Sequence, residues 1–161
     1  MPSIESIITD ILKREGAATN DPLDKGGRTT FGISEKANPE AWADGKVTEE
    51  EARAIYYRKY VTGPGFDKVQ DSHLQAQLID FGVNSGPQLA IMRLQEIVGV
   101  TVDGILGVNT LAKVAETIDT RLLNNRFVAS RVKMFGRIVN KNPSQLKFLS
   151  GWLNRALEFL N

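Results

Sequence analysis

Between Lys13 and Ser34 the chain reads KREGAATNDPLDKGGRTTFGIS, and three of its side chains stand in an order that can do chemistry: Glu15, eight residues, Asp24, five residues, Thr30. Cleaving a glycosidic bond needs one carboxyl held protonated to donate to the leaving oxygen and an ionised partner to activate water or attack the sugar. Glu15 ends an apolar helical stripe and suits the acid; Asp24, in a polar glycine-rich stretch, suits the ionised partner. A threonine hydroxyl can orient water between them, and Thr30 is assigned that place with its neighbour Thr29 as the alternative. Water entering between two such carboxyls requires a separation of roughly 6.5–9.5 Å and inverts the anomeric centre. A separation near 5 Å would instead imply retention through a covalent intermediate; of the two, inversion is expected.

These residues need elements to hold them. Ser3 caps a first helix in which Ile4, Ile7, Ile8, Ile11 and Leu12 share one face, and Gly16 ends it. Four residues beyond Ile11 the same face reaches Glu15, which should close the buried side, where an uncompensated charge is costly. Residues 17 to 33 are rich in turn formers and predict two or three short strands in a hairpin-like lobe. Gly26 and Gly27 permit the close turn that folds Asp24 back over the helix end, and Gly32 lets a sugar chain approach the backbone. Thr48 and Glu51 form a capping box before Ala52, Ile55, Tyr56 and Tyr60. Further helices are predicted at 73–83, 87–98, 109–117, 120–139 and 143–160, the last from Leu146, Leu149, Leu153, Leu157 and Leu160. The sum is a mainly helical α+β chain.

With 161 residues, 42% hydrophobic and 24% charged, the chain is long enough for one well-packed domain. It has no cysteine, which excludes disulfides, thiolate metal sites and a cysteine nucleophile. No secretory signal or membrane-spanning run is evident, so stable membrane insertion is not expected. Charge is uneven: residues 1–80 carry 10 basic and 14 acidic side chains, residues 81–161 carry 10 and 5. Eight basic residues and no acidic one lie between Arg121 and Arg155, which predicts either a solvated helix face or a surface for a polyanion such as a cell-envelope polymer or nucleic acid.

The stretch REGAATNDPLDKGGRTTFGIS resembles the signature of the phage-type lysozymes, and most of all that of the N-acetylmuramidases of glycoside hydrolase family 108, through Glu15, Gly16, Asn20, Asp21, Pro22, Asp24, Gly26, Gly27, Thr29, Gly32, Ile33 and Ser34. EARAIYYRKY is similar to the helix that follows the β-lobe in that family, although Val61 stands where a tryptophan is frequent. Residues 81–118 resemble a peptidoglycan-binding-like segment with a D-G-x-x-G-x-x-T core at Asp103, Gly104, Gly107 and Thr110, and FLSGWLNR is similar to a common terminal motif.

The resemblance implies a single lysozyme-like catalytic domain over 1–161, with a small N-terminal β-lobe and a helical C-terminal lobe. It implies an endolysin that hydrolyses the β-1,4 bond between N-acetylmuramic acid and N-acetylglucosamine, with Glu15 as acid and Asp24 and Thr30 in the water-positioning places. Such a protein would be a monomer acting on bacterial peptidoglycan, without metal, cofactor or nucleic acid. It would wait in the host cytoplasm and reach the wall after the membrane is permeabilised. Two alternatives stand beside it: a lytic transglycosylase giving 1,6-anhydro products, and a non-catalytic peptidoglycan-binding module.

Other side chains are weighed on their chemistry. Phe31, Tyr56, Tyr57, Trp42 and Trp152 can stack on sugar rings, but aromatics at helical spacing are more often core; Phe31 and Tyr56 are retained, with Gly32, as substrate-binding candidates. Asn84 joins them by analogy with the central helix that borders lysozyme clefts, where it would bond an N-acetyl group. Arg155 is expected either to pair with Glu15 or to be solvated. His73, the only histidine, lacks an obvious partner for base catalysis. DPLDKGG resembles a calcium loop only in part, since the alternating ligands and the closing glutamate are missing.

Overall fold

A computed structural model describes residues 3–16 and 27–161. The assignments of Asp24 and of the Gly26 turn lie outside the described residues. Helix α1 (Ile4–Glu15) starts where Ser3 accepts a hydrogen bond from the Ser6 amide at 3.1 Å and the Ser6 hydroxyl accepts from the Ser3 amide at 3.0 Å. Its apolar stripe works as predicted: Ile7, Ile8, Ile11 and Leu12 are all buried. Strands β1 (Thr29–Thr30) and β2 (Ile33–Ser34) pair antiparallel, Thr29 opposite Ser34 and Thr30 opposite Ile33. These two strands make the sheet among the described residues.

Helix α2 (Glu49–Tyr57) begins at the predicted capping box, with Thr48 Oγ1 accepting from the Glu51 amide at 3.2 Å and Glu51 Oε2 accepting from the Thr48 amide at 2.8 Å. It runs on into a wide turn at Arg58–Thr62. Then follow α3 (Ser72–Ser85), α4 (Pro87–Val98), α5 (Val108–Ala115), α6 (Thr120–Lys141) and α7 (Leu146–Leu157). Proline at the first position of α4 and Gly99 in the left-handed region after it mark that helix at both ends, since one needs no amide donor and the other no Cβ.

Helix α3 is the axle of the molecule. Leu74 and every residue from Ala76 to Gly82 are buried, so this helix is enclosed on all sides, packed against α1, α4 and α6. Polar residues on it must therefore find partners inside, and two of them, Gln77 and Asp80, do. The C-terminal helix departs from its leucine repeat. Leu146, Leu157 and Leu160 are exposed, while Ala156 is buried and Leu149, Trp152, Leu153 and Phe159 pack against the core. Its inward face is set by the aromatic contact of Trp152 with Phe135, whose ring centroids are 5.5 Å apart, and not by the leucines alone.

Candidate active site

The β-lobe is held in shape by one arginine. Arg28 donates from Nε and Nη2 to both carboxylate oxygens of Glu35 (3.0 and 2.9 Å) and from Nη1 to the Gly45 carbonyl (3.1 Å), and its guanidinium lies 4.9 Å from the Trp42 ring centroid. Glu35 is correspondingly held below the usual carboxylate range by the hydrogen bond from Arg28. Buried Trp42 donates its indole N–H to the Ile33 carbonyl at 3.2 Å, fixing the second strand.

With Thr30 and Ile33 paired, only Phe31 and Gly32 are left to turn the chain, and both have positive φ, 52° and 73°. A two-residue hairpin loop of the primed type demands this, and favours Gly or Asn; a phenylalanine there is strained. The strain has an evident restraint: the buried Tyr56 hydroxyl of α2 donates to the Phe31 carbonyl at 3.0 Å. Gly32 is confined as well, since a Cβ on it would lie 2.6 Å from Tyr56 Oη and 3.0 Å from Glu15 Oε2. The turn thus brings Phe31, Gly32, Tyr56 and Glu15 to one place, from three elements far apart in sequence.

Glu15 reaches that place on the last turn of α1. The residue before it, Arg14, donates to Asp80 Oδ1 of α3 at 3.1 Å and to Glu158 Oε2 at 2.9 Å, which ties the end of α1 to the central helix and to the C-terminal region. The sequence places Glu15 at the close of a buried face. In the structure the side chain is exposed, because α1 emerges from the core one turn after Leu12 and the glutamate meets the glycine turn and a phenol instead of more apolar side chains. Burial, and after it the charge of Glu15, pushes the Tyr56 hydroxyl well above the usual phenol range, so it persists as a neutral donor.

The remaining candidates are scattered. Thr29 and Thr30 are both half-buried strand residues. Tyr57 is exposed although its neighbour Tyr56 is buried, and Tyr60 stacks on Tyr56 at 5.5 Å. Trp42 is core. Asn84 is exposed at the end of α3, 3.5 Å from Asp80 Oδ2, and lines a cavity with Arg131, Trp152 and Arg155 whose lining includes neither Glu15 nor the glycine turn. Arg155 neither pairs with Glu15 nor stands in solvent: its Nε donates to Asp80 Oδ1 at 2.8 Å.

The D-G-x-x-G-x-x-T segment is a structural knot. Buried Gln95 of α4 donates from Nε2 to Asp103 Oδ1 (2.7 Å), the Ile105 carbonyl (3.0 Å) and Thr110 Oγ1 (3.1 Å), while its Oε1 accepts from the amides of Asp103 (3.0 Å) and Gly104 (2.9 Å). Gly104 has φ 75°, and a Cβ on it would lie 2.7 Å from Gln88 Cγ. Sequence reasoning named the motif but missed Gln95, its organiser, eight residues before the aspartate.

Comparison with known proteins fits this arrangement. Residues 8–86 match the family model described as Glycosyl hydrolase 108, and residues 89–157 match one described as Predicted Peptidoglycan domain, a longer stretch than the 81–118 expected from sequence. Among solved structures the chain is similar to one titled Structure of Brucella abortus SagA, with a TM-score of 0.69 and 28% identity over 96% of this chain and 94% of that one. No curated protein matches the chain significantly. Glu15, Asp24, Thr30, Phe31, Gly32, Tyr56 and Asn84 all fall within the first matched segment.

Proposed function

Because the chain belongs, through residues 8–86, to glycosyl hydrolase family 108 and is a peptidoglycan-acting glycoside hydrolase of lysozyme-like fold, we propose that it is a muramidase with Glu15 as its general acid. The bond cleaved is the β-1,4 link from N-acetylmuramic acid to N-acetylglucosamine. Glu15 gives its proton to the bridging oxygen, the bond from C1 to that oxygen breaks, and water adds at C1 while losing its proton to Asp24 with Thr30 holding it in line. One observation carries the assignment: the Glu15 carboxylate stands directly against the Gly32 turn, so close that a Cβ on Gly32 would lie 3.0 Å from Glu15 Oε2. Tyr56, fixed to the Phe31 carbonyl, forms the floor behind it.

The same reading makes the protein an endolysin, stored in the host cytoplasm as a monomer and acting on the wall once the membrane is breached. Digestion of purified peptidoglycan by the wild type and by Glu15→Gln tests the chemistry. Wild type should release fragments with free reducing ends, and Glu15→Gln should release at least a hundredfold less, in line with loss of a general acid. Fragments lighter by one water, the 1,6-anhydro sugars, would replace the hydrolytic step by attack of the muramic C6 hydroxyl. Intact glycan strands after wild-type treatment would leave only a binding module.

A further inference from the structure

Asp80, buried on α3, is held by three guanidinium groups: Arg14 Nη1 and Arg155 Nε donate to its Oδ1 at 3.1 and 2.8 Å, and Arg131 Nη2 to its Oδ2 at 2.8 Å. Three cations on one carboxylate leave two positive charges in excess, and Glu158, which is 60% exposed and touches only Arg14 among them, offsets one at the surface. Arg131 is 1% exposed, and its Nε and Nη1, like Nη2 of Arg155, are buried with no hydrogen-bond partner among the described residues. Part of that deficit is met by the rings of Phe81 and Phe159, 5.0 and 5.5 Å from the Arg131 guanidinium. A buried donor left unmade costs about 1–3 kcal/mol, more when charged, so several unmade donors on adjoining arginines call for an explanation.

Both arginines line a cavity of about 250 Å³ between the end of α3 and helices α6 and α7. Asn84 and Gln145 add neutral amides to its lining, and Phe135 and Trp152 give it an apolar side. A planar carboxylate suits paired guanidinium groups better than any neutral group, and a methyl-bearing carbon chain suits the aromatic wall. The cavity also forms where the two matched segments meet, Asn84 and Ser85 coming from the first and the others from the second. It is linked to the end of α1 through Asp80, which anchors both Arg155 and the Arg14 that precedes Glu15.

We propose that this cavity takes a carboxylate of the peptide stem that peptidoglycan carries on its muramic acid, and so selects peptide-bearing glycan for the Glu15 site. The inference rests on the muramidase reading for its substrate, but its binding step can be measured alone. The probe is the free stem peptide released from peptidoglycan by an amidase, titrated calorimetrically into the full-length protein. Wild type should bind it saturably, and the same peptide with its carboxylates amidated should bind at least tenfold more weakly. Arg155→Gln should weaken binding at least tenfold. Ile138→Glu places a carboxylate at the cavity's half-open rim, where Ile138 is 37% exposed, and should do the same without removing any arginine.

In kinetics, the wild type should show a lower KM on intact wall glycan than on glycan stripped of peptides, and Arg155→Gln should bring that ratio towards one. Equal binding of free and amidated peptides would overturn the proposal, as would inorganic phosphate displacing the peptide at equal concentration, which would make the site a phosphate site. So would peptide binding unaltered in both variants. Those failures leave glycan hydrolysis untouched. Conversely, peptide binding by a wild type that leaves glycan strands whole would overturn the muramidase reading and leave the cavity's assignment standing.

Discussion

Gly32 and Tyr56 exclude any atom between them: a Cβ on the glycine would sit 2.6 Å from the phenolic oxygen, well inside van der Waals contact. Space and backbone conformation forbid a side chain together, since φ at Gly32 is 73°. Gly32→Ala should therefore destabilise the protein by about 1–3 kcal/mol and lower turnover through displacement of the turn from Glu15. Urea unfolding checks the first effect. Combining Gly32→Ala with Tyr56→Phe removes the clashing oxygen, so the double variant should be more stable than the sum of the two single losses predicts. Strict additivity would show that the clash is relieved elsewhere.

Tyr56 also gives an alkaline signature. Its phenol is raised, by burial first and by the charge of Glu15 second, so the folded state keeps a proton that the unfolded chain gives up near pH ~10. Tyr56 therefore leaves stability unchanged below that pH, and stability falls as pH climbs from there towards the raised folded value, by up to about 1.4 kcal/mol per pH unit. Tyr56→Phe should flatten this decline between pH 9 and 11.5 while costing about 1–2 kcal/mol at neutral pH, because the Phe31 carbonyl loses its donor. Parallel melting curves over that range would count against it.

What the sequence showed plainly was local. Ser3, the Thr48–Glu51 box, Pro87 and Gly99 marked helix ends because a cap is settled within four residues, and each stands where the spacing predicts. The Glu15 to Gly32 neighbourhood was legible as a motif, though its exposure was not, since burial depends on what lies beyond the helix end. Asp80 escaped notice entirely. Its partners lie 66, 51 and 75 residues away, and ion pairs at such separations leave no period in the chain. The same blindness hid that two members of the basic run from Arg121 to Arg155, Arg131 and Arg155, are turned inward on that one carboxylate.

Gln95 is expected to matter more for folding than its single amide suggests. Gln95→Leu keeps the volume but strips the loop at 103–110 of five hydrogen bonds, leaving the Asp103 and Gly104 amides without their acceptor. A loss of about 2–4 kcal/mol is expected, with hydrolysis falling only as folding does. The network also holds the Asp103 carboxyl below its usual range, through Gln95 first and the Ile105 amide next. A lowered carboxyl favours the fold above the ordinary carboxylate range and ceases to do so as pH falls through it. Gln95→Leu should therefore be less sensitive to acid between about pH 5 and 2 than the wild type, relative to its own neutral-pH stability. An unchanged acid profile would place the shift elsewhere.

Asp80 and Arg14 should separate stability from function. Asp80→Asn keeps shape but removes the one negative charge buried among three guanidinium groups, and loss of one partner from a buried ion cluster costs about 3–5 kcal/mol. Arg14 is different: its side chain is 36% exposed, and both its contacts are ones that Asp80 and Glu158 can forgo, Asp80 retaining Arg131 and Arg155. Arg14→Gln should cost no more than about 1 kcal/mol. Yet Arg14 is what fastens the last turn of α1 to α3, one residue before the proposed acid, so the variant should lose activity on peptidoglycan out of proportion to its small change in melting temperature. Measured together, the two variants oppose one another: Asp80→Asn loses fold and activity in step, whereas Arg14→Gln keeps the fold and loses turnover. If Arg14→Gln instead retained full turnover, the end of α1 would be held by its apolar face alone, and the ion pair to Asp80 would serve only to hold charge.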